Sequence, residues 1–316
     1  MLILPSMTFK QLKERSTLAV LTLIAVLCFS CKPKAVPPKP HPNFKLVHGI
    51  SFTEVRRTLA SGLCFSDQGF QFEPDWKFTI LSEDSINIYS PAKKKFFNCP
   101  IIFDHDSIFN IAWAWMRLKK VTKDSIKFQV LQVEDKQILY DKSVVYMTLY
   151  ADNYIKNVLH TDSATLVRPT RLDTQYIRHK ADLAALDPKN AFSARMPATL
   201  SSISPLVKVQ KIHAAEDASN EVTVADEYLT PEFNITIHKA YEDFNYPMVL
   251  LVDAKGQLIF YKSRVVQMPE FAESANKIMT AITNGYLRHY LKVTAGTTLG
   301  IPHASKIIVY VRGYKN

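Results

Sequence analysis

Glycine is scarce here: 8 residues among 316. Proteins whose backbone wraps a phosphate or a dinucleotide rely on glycine-rich turns, so that class is disfavoured. The chain also lacks a Gly-x-Ser-x-Gly elbow, a His-Glu-x-x-His pair, a phosphate loop and a dinucleotide fingerprint. Its 4 cysteines are too few for a disulfide-dense scaffold. No apolar run reaches the roughly 20 residues that a bilayer-crossing helix needs. What is present is an apolar fraction of 47% with 11% aromatics, which excludes wholesale disorder.

The N-terminus reads as an export signal, with Lys10, Lys13 and Arg15 ahead of the apolar stretch Thr17 to Phe29. Leu27-Cys28-Phe29-Ser30-Cys31 follows, and it resembles the lipobox of Bacteroidetes-type bacterial lipoproteins. The resemblance implies cleavage after Ser30, lipidation of Cys31, and a place in the cell envelope facing periplasm or exterior. The competing reading is an ordinary signal peptide with an incidental cysteine. Residues 32–45 hold Pro33, Pro37, Pro38, Pro40 and Pro42 among lysines, which specifies an extended spacer. At ~3.1 Å per residue the stretch from Lys32 to Pro42 reaches roughly 35 Å.

The net charge of +10 divides unevenly along the chain. Residues 1–31 contribute three positive charges and one negative, and residues 32–45 four lysines, so 6 of the +10 precede the body. Residues 46–240 are near neutral, which argues against a nucleic-acid-binding body and for contact of the tether with a membrane.

The expected fold class is α+β: an N-terminal antiparallel β-rich domain (46–225) followed by a smaller α+β domain (226–316). Ser51 to Leu59 has capping-box spacing, with Phe52, Val55 and Leu59 on one stripe, and predicts a short helix ended by Gly62. Beyond Trp76 the period becomes two. The triplets Asp84-Ser85-Ile86, Asp106-Ser107-Ile108 and Asp124-Ser125-Ile126 predict turns that open strands. This meander, over roughly 70–150, resembles lipocalin-like domains of exported proteins. Residues 150–160 and 173–186 predict helices, and Leu206 to Ile212 a strand.

Candidate sites are few. Ile111 to Met116 predicts a strand with Trp113 and Trp115 on one face, either an aromatic platform for a sugar or apolar ligand or core filler opposite small alanines. Cys64 and Cys99 are candidates for a disulfide, worth roughly 3–4 kcal/mol, or for two buried thiols. Asp104-His105-Asp106 has the chemistry of a cation site but the position of a solvated turn. Lys93-Lys94-Lys95 before Phe96-Phe97 suits a hairpin tip that discourages edge pairing. The residues call for no cofactor and no metal.

In the last quarter, Tyr246-Pro247 to Val252, the turn Asp253-Ala254-Lys255-Gly256 and Leu258 to Tyr261 predict a hairpin. Pro269 opens a helix that Asn284-Gly285 should end, and Gly300-Ile301-Pro302 precedes the closing strand Lys306-Ile307-Ile308-Val309-Tyr310-Val311. Over about 70 residues these pieces resemble the TonB C-terminal domain. The resemblance implies contact with an envelope protein by β-strand addition, with Lys306 to Val311 as the candidate edge. Two other functions compete with this non-enzymatic contact role: a lipocalin-like binder, and a periplasmic enzyme without a recognisable motif.

Overall fold

Asp-Ser turns set the rhythm of the first half. In the computed structural model, which describes residues 42–91, 93–112, 114–213 and 225–315, Leu81 and Ser82 N–H donate to the Ser85 carbonyl, and Asp106 takes a left-handed φ of 52°. Thr122 N–H donates to Ser125 O at 2.8 Å. Ile86, Ile108 and Ile126, which close the three triplets, are all buried. The signal, Cys31 and the spacer through His41 lie outside the described residues, as do Trp113 and 214–224.

Nine strands follow in the first half: β1 (Ser51–Leu59), β2 (Lys77–Ile80), β3 (Ser85–Ser90), β4 (Lys95–Phe103), β5 (Ile108–Ile111), β6 (Ala114–Val121), β7 (Ser125–Glu134), β8 (Gln137–Leu139) and β9 (Val145–Ala151). Each consecutive pair from β1 to β7 is antiparallel, β7 pairs β9, and β9 pairs β1. The ring closes as an eight-stranded barrel, with β8 as a side hairpin on β7. Closure pairs every strand on both sides and so removes the free edges of an open sheet.

The helix expected over Ser51 to Leu59 is therefore a strand. Ser51 to Thr53 pair with β2, and Phe52 to Leu59 pair with β9 across an irregularity between Glu54 and Arg56. That bulge gives a stepped pattern of inward residues that imitates a helical stripe.

Five phenylalanines pack end to end inside the barrel. Phe44 meets Phe109 edge-on at 5.5 Å, Phe109 meets Phe128 at 5.5 Å, Phe128 lies 6.2 Å from Phe78, and Phe78 lies 6.1 Å from Phe52. Phe44 and Val47 come from a short 3-10 turn (Lys45–Val47) pinned by Gly49 N–H to Ile80 O at 2.8 Å. One end of the barrel is thereby plugged.

The second half contains β10 (Thr199–Ser202), β11 (Val207–Ile212), β12 (Glu232–His238), β13 (Phe244–Val252), β14 (Leu258–Ser263), β15 (Leu291–Thr294), β16 (Thr297–Thr298), β17 (Ile301–Pro302) and β18 (Ser305–Tyr314). Five of these form a sheet in the order β11-β12-β18-β13-β14, and β12 and β18 run parallel. The class is α+β. The chain enters this sheet at Val207, ahead of residue 225. The hairpin at Asp253 to Gly256 and the helix from Pro269 (Pro269–Ile282) stand as the residues predict. Asn284-Gly285 does not end that helix, which continues through a π-turn (Thr283–Leu287) into Arg288–Tyr290. Leu287 is buried in the sheet's core and Arg288 Nε donates to Leu258 O at 2.7 Å, so packing carries the chain past the glycine.

Lys306 to Val311 is not an edge. These residues lie within β18, which pairs with β12 on one side and β13 on the other. Its backbone groups are already spent, and the apolar run that marked it suits a central strand.

A third cluster (Cys64, Phe65, Ile177, Ala184, Phe192 and Ala304) joins the two halves. The helix Arg171–Leu186 supports it. Its capping box, Thr170 with Asp173, fixes the N-terminus. Asp173 is fully buried and accepts from Cys64 N–H at 2.9 Å, from Thr170 N–H and Oγ1–H at 2.7 Å, and from Arg56 Nη2 at 3.2 Å. Burial would raise its pKa, but these hydrogen bonds outweigh it and hold the carboxyl below the ordinary range.

His303 is buried in the same region, stacked on Phe192 with ring centroids 3.7 Å apart. Nδ1 donates to Ala304 O at 3.1 Å, so Nε2 accepts from Thr298 Oγ1 at 2.9 Å and the ring is neutral. Burial, assisted by the Lys180 charge and opposed by the Ala304 carbonyl, lowers its pKa from 6.5 to about 4. Below pH 6.5 the unfolded chain therefore takes up a proton that the folded chain refuses. We expect His303 to cost about 2 kcal/mol of stability between pH 7 and pH 5. Urea unfolding at both pH values should show this loss, and His303→Gln should remove it; an equal loss in both proteins would exclude His303 as its source.

Candidate functional site

Side chains alternate in and out along each barrel strand, so register identifies what lines the interior. Arg57 stands opposite Met147 and Leu59 opposite Val145; Ile111 stands opposite Ala114 and Phe109 opposite Met116. Away from the Phe44 plug, the inward set passes from the phenylalanines through Met116, opposite Phe109, and Met147, opposite Phe128, to Ala114, Val130 and Val145. These smaller or flexible side chains do not fill the barrel.

Two cavities result. One, about 530 Å³, is lined by the residues just named together with Arg57, Trp76, Phe70 and Phe72. The other, about 740 Å³, is lined by Trp76, Ile88, Tyr89, Phe97, Cys99, Ala112 and Lys93 among others. Trp76 and Asp75 line both. Met116 and Met147 are fully buried at the first cavity's floor, where unbranched thioethers adapt to irregular shapes.

Trp76 is held there by a buried carboxylate. Glu54 is 2% exposed and accepts from the backbone N–H of Asp75 at 3.0 Å and of Trp76 at 3.2 Å. Arg57 meets the same carboxylate through Nε at 2.9 Å and Nη2 at 2.6 Å, and its Nη2 also reaches Asp75. Burial pushes the Glu54 carboxyl above its ordinary range, against the pull of Arg57 and the two amides. The guanidinium and amides thus offset a desolvation cost rather than add a free surplus.

The segment between β1 and β2 forms a wall beside the mouth. Phe72 N–H donates to Cys64 O, Ser66 N–H to Phe70 O, and Phe70 meets Phe72 edge-on at 4.9 Å. The second half supports this wall. The Tyr228 hydroxyl accepts from Gln71 N–H at 2.9 Å, while Arg195 donates to Glu73 at 2.9 Å and lies over the Tyr228 ring. Gly69 has φ 91°, and a Cβ there would fall 2.2 Å from the Ser193 carbonyl oxygen. Only glycine permits that approach.

The residues singled out in the sequence are dispersed. The strand expected over Ile111 to Met116 is a hairpin, since β5 ends at Ile111, Ala112 has φ 55° and β6 begins at Ala114. Trp115 points out of the barrel opposite Asn110. There it lines a separate outer groove with Asp104, His105 and Tyr140. Trp113 lies outside the described residues. Asp104 and His105 hydrogen bond at 2.8 Å, and no group of three metal-ligating side chains occurs among the described residues.

Cys64 and Cys99 are free thiols, not a disulfide. Cys64 packs in the cluster that joins the halves, whereas Cys99 packs against the barrel core and lines the larger cavity. Burial, with the Asp173 charge, pushes the Cys64 thiol up to about 12. Lys93 and Lys94 stand in the β3–β4 turn and Lys95 opens β4, at a hairpin tip as expected. Glu54, Arg57, Trp76, Met116 and Met147 went unrecognised. Reading β1 as a bulged strand would have found the first two; the methionines carry no local signal.

Comparison with protein-family models and with curated proteins finds no match for this chain. No helix among the described residues is long and apolar enough to cross a membrane.

Removing the Glu54 carboxylate leaves the two amides without their acceptor and Arg57 with Asp75 alone. Glu54→Ala should lower unfolding stability by about 3–5 kcal/mol, measured by urea denaturation. A loss under 1 kcal/mol would show that the carboxylate is not the tie described.

Proposed function

We propose that this chain is a binding protein whose barrel holds one small, largely apolar ligand beside Trp76, and that Cys31 anchors it in the cell envelope. One observation carries the binding reading: a closed eight-stranded barrel is filled by phenylalanine at one end and hollow at the other, where two cavities share one tryptophan. Barrels of this strand number either fill with side chains or hold one small ligand, and ligand sites commonly span about 300–1,000 Å³ with mostly apolar linings. The polar groups beneath Trp76 are committed to one another, and among the described lining residues no nucleophile is hydrogen-bonded to a base. This arrangement suits retention rather than reaction. It also agrees with the lipocalin-like resemblance of the meander.

Protein contact by strand addition is a second role, and its support lies at β11 and β14, which each pair on one side only within the five-stranded sheet. The TonB-C-terminal-like order of hairpin, helix and closing strand belongs to the same reading. Anchoring rests on the sequence around Cys31.

Binding is tested with the uncharged apolar dye N-phenyl-1-naphthylamine and the unlipidated Cys31→Ala chain. We expect saturable one-to-one binding, weakened roughly tenfold or more by Trp76→Ala, in line with the ~1.5–3 kcal/mol of a buried large side chain. Non-saturable binding, or an unchanged Trp76→Ala variant, would refute the site. Anchoring is tested by palmitate labelling in cells, which should be lost in Cys31→Ala; equal label in both proteins would rule out this anchor.

A further inference from the structure

The rim of the larger cavity points to the ligand's charge. Lys93 lines that cavity, and its Nζ lies 5.2 Å from the centroid of the Phe97 ring, which also lines it. Lys95 Nζ lies 4.9 Å from the same ring. Two ammonium groups therefore rest on one aromatic side chain of the cavity wall. Lys94 stands between them in a left-handed turn with φ 51°, and the Lys93 N–H donates to Ser90 Oγ at 3.3 Å.

Among the described residues, neither Lys93 nor Lys95 has an acidic partner. The carboxylate that does line this cavity, Asp75, is engaged by Arg57. Lys93, Lys94 and Lys95 are consecutive and like-charged, with Lys93 in the cavity lining, and an anion placed beside them relieves their repulsion. Below the rim the wall is apolar: Trp76, Ile88, Phe97 and Cys99. Lys93 lines the cavity itself, and Lys95 lies over the ring of Phe97, which also lines it, so both cations are attracted by the quadrupole of one lining side chain.

We propose that the ligand is a single-chain anionic amphiphile, its hydrocarbon part against Trp76 and its acidic head at Lys93 and Lys95. The proposal rests on the barrel-binding reading and adds the ligand's charge and orientation. A free fatty acid and the phosphate head of a single-chain membrane lipid share this chemistry.

The test displaces N-phenyl-1-naphthylamine from the Cys31→Ala chain with four probes of equal chain length: dodecanoate, lauroyl lysophosphatidylglycerol, 1-dodecanol and dodecylammonium. At least one of the two anions should displace the dye at about fivefold lower concentration than the alcohol, the scale of a partly exposed charge interaction. Which anion is the more effective distinguishes free acid from lipid head. Lys93→Gln combined with Lys95→Gln should erase the advantage of the anions over 1-dodecanol, read as a ratio within each protein so that any change in the dye's own affinity cancels. Added salt should shrink the advantage in the unsubstituted rim only. Equal displacement by alcohol and anions, stronger displacement by dodecylammonium, or an advantage that survives the double substitution would overturn the charge assignment and leave the barrel site standing. Failure of the dye and of all four probes to bind would overturn both.

Discussion

A single buried carboxylate organises the hollow end of the barrel. Glu54 lies inside a ring of eight strands, where an ionised group is costly unless it is paired and hydrogen-bonded. Here it is met by a guanidinium from the same strand and by two backbone amides from the segment that leads into β2. The consequence is geometric. Those amides belong to Asp75 and Trp76, so satisfying Glu54 fixes the backbone that presents the indole. A hydrophobic substitute at position 54 would remove the desolvation cost and also remove the reason for Trp76 to stand where it does.

The second sheet matters to the barrel through that same segment. Its wall is not self-supporting: Phe70 and Phe72 meet each other, but their segment is tied to Tyr228, Ser193 and Arg195 of the second half. Behind it, Asp173 binds the Cys64 amide and Arg56 of β1, so one carboxylate touches the wall, the barrel and a helix cap. His303 and Phe192 stack beneath. The two halves are thus one mechanical unit around the mouth, and a ligand that touches Phe70 or Phe72 reports indirectly on the second sheet.

Much of this fold was legible. The Asp-Ser-Ile triplets announce strands because the first two residues favour turns while the third is β-branched and apolar, and each does what its chemistry suggests. The hairpin at Asp253 to Gly256 and the helix from Pro269 are equally local. β1 was illegible for a physical reason. Its register shifts between Glu54 and Arg56, and Val55 at the shift is buried, so the apolar set Phe52, Val55 and Leu59 breaks the two-residue period and reads as a helical stripe. The place of Lys306 to Val311 was illegible for another: edge and centre are decided by β12, some seventy residues earlier, pairing in parallel with β18. As for the site, sequence marked tryptophans by their proximity to each other, whereas the barrel uses Trp76, isolated in sequence and placed by Glu54. The hairpin at Ala112 turns Trp115 to the outside.

The asymmetry of the barrel follows from side-chain size alone. An eight-stranded barrel has an interior that ordinary side chains just fill. Where Phe44, Phe52, Phe78, Phe109 and Phe128 meet, that volume is consumed, and the 3-10 turn at Lys45–Val47 caps it. Farther along the same strands, Ala114 faces Ile111 and Val145 faces Leu59, and the volume is no longer filled. Packing at crystalline density would close such a gap if the strands were free to approach. They are not, because closure fixes the diameter by strand number and stagger, and the ring of backbone hydrogen bonds holds it open. The cavity is therefore a product of two scales: a backbone that sets a constant bore, and a side-chain sequence that fills only one end of it.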